Sequence, residues 1–247
     1  MTALLRSLLW TDPAFFALTA FMGSLSLAAS LVDGKGKRQH RIAQRWARMV
    51  MRLIGVEVVV TGAENLTLGQ AYVFCSNHLS LIDTPLVFGY LPWEFRILAR
   101  HGLWRVPFLG WHLKRAGHMP VNREDARAGL RNLTAAAERV REGMSVLIFP
   151  EGGRSPDGAM GEFKPGAAYV ALKAGAPLAP FCIVGSREIH KKGTVTLHHG
   201  RVELHLGRPI PTAGMSPRDA RDVTTLARQH IAELLEKASR RRTEPSP

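Results

Sequence analysis

Apolar and polar positions along the 247-residue chain fall into two regimes. From Ala14 to Val32 runs a stretch of nineteen residues without a charge, opened by Asp12-Pro13. Asp12 is placed to cap a helix and Pro13 suits its first turn. At about 1.5 Å per residue this helix reaches about 28 Å, close to the roughly 30 Å hydrocarbon thickness of a bilayer. The next stretch keeps a helical period, with Ile42, Trp46, Met49, Val50 and Leu53 recurring while Arg41, Arg45, Arg48 and Arg52 take other positions. This predicts a basic amphipathic helix with an interfacial Trp. The same spacing fits a helix packed on a core with a solvated back.

From residue 56 the pattern shortens to β-branched runs between helical stretches. Val56–Val60, Ala71–Cys75, Phe95–Ala99, Ser145–Phe149, Ala179–Val184, Thr194–His198 and Arg201–Leu206 read as strands, and Glu124–Arg141 and Ser216–Lys237 as helices. Alternation of this kind predicts an α/β fold, a mostly parallel sheet flanked by helices, with the two N-terminal helices as a membrane anchor. The last two runs, close together around Gly200, suggest an antiparallel hairpin. The expected organisation is an anchor over 1–54, an α/β domain over 55–238 and a disordered basic tail over 239–247, where Arg240-Arg241-Arg242 and two prolines occur.

Composition adds one unusual fact. Hydrophobic residues at 46% and charged residues at 21% are ordinary for a globular chain and argue against disorder, but Lys and Arg exceed Asp and Glu by 13. Nearly half of that excess lies between Asp33 and Arg52, directly after the apolar stretch. A cleaved signal peptide fits poorly, because Arg6 is the sole early charge. A buried core helix is the second alternative; the adjoining cations favour membrane insertion with that end held at the cytoplasmic side, across the bilayer or in one leaflet. Nucleic acid is disfavoured as a partner, since aromatic residues are only 7% and the basic cluster abuts an apolar helix. Cys75 and Cys182 sit in apolar runs and read as reduced core thiols, and no metal-ligand cluster occurs.

Two strand ends carry candidate chemistry. After Ala71–Cys75 comes Asn77-His78-Leu79-Ser80-Leu81-Ile82-Asp83. On one continuous helix an offset of five sets two side chains about 140° apart. With His78 in a loop and Asp83 opening the helix, the carboxylate can hold one ring nitrogen and leave the other as a general base. Ser80-x-x-Asp83 equally fits a helix-capping box. Cys75 is a poor nucleophile, because burial raises a thiol pKa. The second turn, Phe149-Pro150-Glu151-Gly152-Gly153-Arg154-Ser155, has two glycines that let backbone N–H groups approach a ligand and an arginine fork for phosphate oxygens. Arg123 offers a second guanidinium, and Glu151 can orient Arg154 or bind a hydroxyl.

These residues together resemble the glycerolipid acyltransferases that act on 1-acylglycerol-3-phosphate. Asn77-His78 to Asp83 is similar to the family's NHxxxxD block, Pro107 to Arg123 to its second block, Phe149 to Ser155 to its FPEGTRS block, and Ala179 to Ile183 to a fourth block, a strand carrying proline. The resemblance implies His78 as general base held by Asp83, direct attack of a glycerol hydroxyl on an acyl thioester, and no acyl-enzyme. It further implies a lysophosphatidate headgroup site from Arg123, Glu151, Gly152, Gly153 and Arg154. No bound cofactor is implied; acyl-CoA or acyl carrier protein would bring the acyl group, a lysolipid would accept it, and membrane lipids would surround the anchor at the cytoplasmic face of the inner membrane. Gly153 stands where the family has Thr, and Arg100 or His101 where it has lysine, which leaves another acceptor such as a lyso-ornithine lipid as the alternative. A basic membrane-surface protein without activity is the remaining one.

Overall fold

A computed structural model of the protein describes residues 5, 7–121, 125–194 and 196–243. A seven-stranded sheet in the order β1-β7-β6-β2-β5-β3-β4 forms its centre, from β1 (Val56–Thr61), β2 (Val73–Ser76), β3 (Phe95–Arg100), β4 (Met119–Val121), β5 (Ser145–Ile148), β6 (Leu178–Val184) and β7 (Gly200–Leu206). Neighbours run parallel except β6 and β7. The α/β fold with a mostly parallel, helix-flanked sheet is the one expected.

Strands covered on both faces read as continuous apolar runs, and β2 and β5 are buried at every position. Their side chains alternate between two cores. Phe74, Leu147, Phe181 and Ile183 face one cluster, shared with α2 (Lys37–Ile54) and α3 (Asp83–Tyr90). Val73, Cys75, Val146 and Cys182 face the other, shared with α5 (Ala126–Arg141), α6 (Gly166–Ala174) and α8 (Ala220–Thr243).

Several expectations need correction. No hairpin forms around Gly200, and Thr194–His198 is not a strand; Val195 lies outside the described residues. Both sides of β7 are taken, by β1 in parallel and β6 in antiparallel, while the Leu197 and His198 N–H groups bond to Ser7 and Ile189. The short edge strand β4, with Pro120 at its centre, was not expected; it pairs with β3 on one side. Asp12 does not cap a helix, since a π-helical turn, Ser7–Thr11, already leads into α1 (Asp12–Ala29). Helix α1 ends at Ala29, three residues before the uncharged stretch does. The helix expected from Glu124 starts at Ala126, where Asp125 accepts the Ala128 N–H; Glu124 itself lies outside the described residues. Helix α8 runs on to Thr243, so residues 239–243 are helical and only 244–247 fall outside the description.

The most consequential correction concerns α2. Its core face is Ala43, Ala47, Val50, Met51 and Ile54, all buried under the sheet, so residues 37–54 share the core of the α/β domain. The row of Trp46 turns to α1, where the indole donates to Thr19 Oγ1 at 3.1 Å and leans on Phe15. Gly55 ends α2 in a left-handed conformation at φ 83°, donating to Met51 and Arg52, which turns the chain directly into β1. The continuous helical span Leu9–Ala29, the end of the π-helical turn together with α1, is long and apolar enough to cross a membrane, and Phe16, Phe21 and Leu25 on it are exposed.

Candidate active site

The loop after β2 is fixed at several points before it reaches His78. Asn77 mimics a peptide group: its amide donates to the Ile183 carbonyl and accepts the Ile183 N–H, both at 2.9 Å, tying the end of β2 to β6. The His78 carbonyl accepts the Ser155 N–H at 2.9 Å, joining this loop to the turn after β5. Ser80 Oγ donates to the His190 carbonyl at 2.7 Å, beyond the short helix α7 (Ser186–Ile189).

Within that frame the chain folds back as the sequence allowed. Asp83 opens α3 and is fully buried, and its Oδ2 accepts three donors at 2.8 Å: His78 Nδ1–H, Leu79 N–H and Ser80 N–H. The loop therefore shares one carboxylate oxygen with the imidazole; the capping box does not form, since Ser80 Oγ turns to His190 and Asp83 holds the N–H groups of the loop before the helix. The bond at Nδ1 leaves His78 Nε2 without a partner among the described residues, on a side chain 16% exposed. Phe149, just past β5, stacks on the ring at 4.2 Å and 16°, fixing its plane. A hydrogen-bonded, stacked imidazole with its second nitrogen unbound is suited to take a proton from a hydroxyl.

The Gly-rich turn is coupled to the same loop. Gly152, at φ 72°, donates to the Phe149 carbonyl at 3.0 Å, so the turn needs a residue without a Cβ there. Glu151 does not pair with Arg154. Its Oε1 accepts the His78 N–H at 2.8 Å and its Oε2 the Gly161 N–H at 3.0 Å. The half-buried Arg154 guanidinium makes no hydrogen bond or ion pair among the described residues, whereas its carbonyl accepts from Lys192. Burial, and next the Arg154 charge, lower the pKa of His190, which sets that guanidinium within electrostatic reach of the Ser80 anchor. Arg123 lies outside the described residues.

The thiols complete the inventory. Burial pushes Cys75 and Cys182 up to about 12, so neither supplies a thiolate nucleophile at neutral pH. Three parts escaped sequence reasoning: the Asn77 clamp, the Phe149 platform and the His190 anchor. Asn77 and Phe149 open the two motifs, but nothing local told what their side chains would bind. His190, a lone histidine over a hundred residues away, carried no local signal.

Residues 57–184 match the family model described as Acyltransferase, and the chain belongs to that family. Among its relatives, the 1-acyl-sn-glycerol-3-phosphate acyltransferase of Borreliella burgdorferi is 32% identical over 185 residues, 74% of each chain. The chloroplastic 1-acyl-sn-glycerol-3-phosphate acyltransferase BAT2 of Brassica napus is 31% identical over 79% of this chain, which spans 60% of that longer protein. In fold, the chain is similar over its whole length to the crystal structure of the 1-acyl-sn-glycerophosphate (LPA) acyltransferase PlsC from Thermotoga maritima, with a TM-score of 0.80 at 24% identity.

Proposed function

We propose that this protein transfers a fatty acyl group from acyl-CoA or acyl carrier protein to the free glycerol hydroxyl of lysophosphatidate, giving phosphatidate. The observation that carries this reading is the 2.8 Å bond from His78 Nδ1 to a buried Asp83, which leaves Nε2 open. Nε2 takes the hydroxyl proton as the oxygen bonds to the thioester carbonyl carbon. Collapse of the tetrahedral adduct breaks the C–S bond, and the imidazolium returns the proton to the leaving thiolate. Membership of the family and the names of the relatives support the reaction class and the acceptor.

In this reading Arg154, with Arg123, pairs with the acceptor phosphate through charge-assisted hydrogen bonds, and Gly152 and Gly153 let the turn approach it. Glu151 acts as a positioning residue, because both its oxygens hold backbone N–H groups and one of these belongs to His78. Gly153, in place of the family's Thr, keeps a lyso-ornithine acceptor as the second reading. The exposed apolar helix α1 and the basic residues after it support attachment to the cytoplasmic face of the inner membrane.

The test is His78→Ala in detergent, assayed with lysophosphatidate and each donor, beside lyso-ornithine lipid. Loss of a general base lowers turnover by about 10²–10⁴-fold. Undiminished turnover in a folded variant removes His78 from the mechanism, and a preference of the parent for lyso-ornithine lipid replaces the acceptor.

A further inference from the structure

The segment between β3 and β4 has an apolar surface that the proposed reaction does not use. It comprises a 3₁₀ turn, His101–Arg105, and the short helix α4 (Leu109–Arg115). Val106, Phe108 and Trp111 are 45%, 42% and 54% exposed, and the Phe108 and Trp111 rings pack edge to face at 5.4 Å. Phe108 holds φ 59°, an unfavourable conformation for a residue with a Cβ. Large side chains at such exposure in one short segment, one of them on strained backbone, are unusual for a surface facing only water.

Charge and position identify what covers it. From Phe95 to Val121 no Asp or Glu occurs, whereas Arg105, Lys114 and Arg115 are exposed around the apolar residues. A second copy of the chain would bring like charges together; a surface of phosphates would not. The segment also adjoins the exposed apolar helix. Ser26 Oγ and His112 Nδ1 are 2.7 Å apart, Arg115 donates to Ser30 Oγ at 3.3 Å, and a Cβ at Gly23 would stand 3.6 Å from that of Phe108. At the junction a cavity of about 550 Å³, lined by Leu27, Leu31 and Trp111 with Lys114 and Arg115, combines an apolar floor with cations.

We infer that residues 101–115 form a second membrane-docking surface, continuous with α1 and seated on an anionic phospholipid leaflet. Val106, Phe108 and Trp111 enter the acyl-chain boundary, and Arg105, Lys114 and Arg115 lie at the phosphates. The inference rests on α1 associating with a membrane. Because β2, β3 and β5 are parallel, this segment leaves the sheet at the end from which His78 and Phe149 leave. Docking there turns the mouth of the site toward the leaflet that holds a lipid acceptor.

The test places an environment-sensitive dye on Val106→Cys, Trp111→Cys, Phe21→Cys on α1, and Leu130→Cys on α5, in the full chain. The native thiols are buried and stay unlabelled. Vesicles of phosphatidylcholine with phosphatidylglycerol carry nitroxide on their acyl chains. Quenching at 21, 106 and 111 but not at 130 is expected. Quenching at 21 alone overturns the second surface and leaves the anchor, and no quenching at 21 removes the anchor as well. Emission at 111 that shifts with protein concentration in the absence of vesicles assigns the surface to self-association and overturns the inference. Lys114→Gln with Arg115→Gln weakens partition onto these vesicles about 30-fold, at about fivefold for each cation. Unchanged partition overturns the role of the charges.

Discussion

Glu151→Gln separates a positioning role from a headgroup role. The substitution keeps the length of the side chain and one carbonyl oxygen, and turns the other oxygen into an amide donor. Both native oxygens accept backbone N–H groups, from His78 at 2.8 Å and Gly161 at 3.0 Å, so in either orientation the new amide faces an N–H. A hydrogen bond to a charged group contributes about 1.5–3 kcal/mol. Loss of that bond at His78 loosens a base that must sit within hydrogen-bond reach of a hydroxyl, and converted at about 1.4 kcal/mol per tenfold it lowers kcat by about 10- to 100-fold. The KM for lysophosphatidate stays within about threefold, because the carboxylate touches no substrate in this arrangement. Steady-state kinetics with lysophosphatidate varied at saturating acyl-CoA, beside a thermal melt, give both readings. For a chain of this size a loss of that order lowers Tm by about 3–10 °C. A raised KM with unchanged kcat refutes the reasoning and returns Glu151 to the headgroup site.

Three further outcomes follow from the same geometry. Asp83→Asn disturbs the acceptor shared by His78, Leu79 and Ser80, and turnover falls on the order of 10³–10⁴-fold, the scale for a triad carboxylate made an amide; retained kcat with a lower Tm assigns Asp83 to the loop alone. Arg154→Ala raises the KM for lysophosphatidate by about tenfold or more while leaving lyso-ornithine lipid unaffected, and equal effects on both acceptors remove it from a phosphate site. Acid unfolding reports three histidines, His40 on α2, His112 on α4 and His118 just before β4. Burial, reinforced by the Arg96 charge, lowers His40 and His112 from 6.5 to about 4, and burial holds His118 well below its ordinary value. The unfolded chain binds these protons below 6.5 and the folded chain does not, so stability is full above that pH and is lost as pH falls toward 4. At pH 5 each of His40 and His112 costs about 2 kcal/mol. Denaturant melts of His40→Gln that keep the full parental pH slope between 6.5 and 4 would refute this assignment.

The sequence by itself determined most of the strands and helices and the pairing of His78 with Asp83. Runs such as Val146–Ile148 are apolar at every position because both faces are covered, and that property is written in consecutive residues. The His78 and Asp83 pairing was legible because both partners lie within six residues, and the only geometric condition was that His78 stay outside the helix. Tertiary structure decided what depends on distant partners. Which apolar row of α2 meets the core was set by the sheet beneath it, and a helix with two apolar sides offers no local means of choosing between them. The antiparallel partner of β7 was decided by β1 occupying its other edge, a competition between segments more than a hundred residues apart. Glu151 looked like a ligand beside Arg154 and became a clamp on His78, because the two strand ends that bring those backbone groups together are neighbours only in the folded sheet.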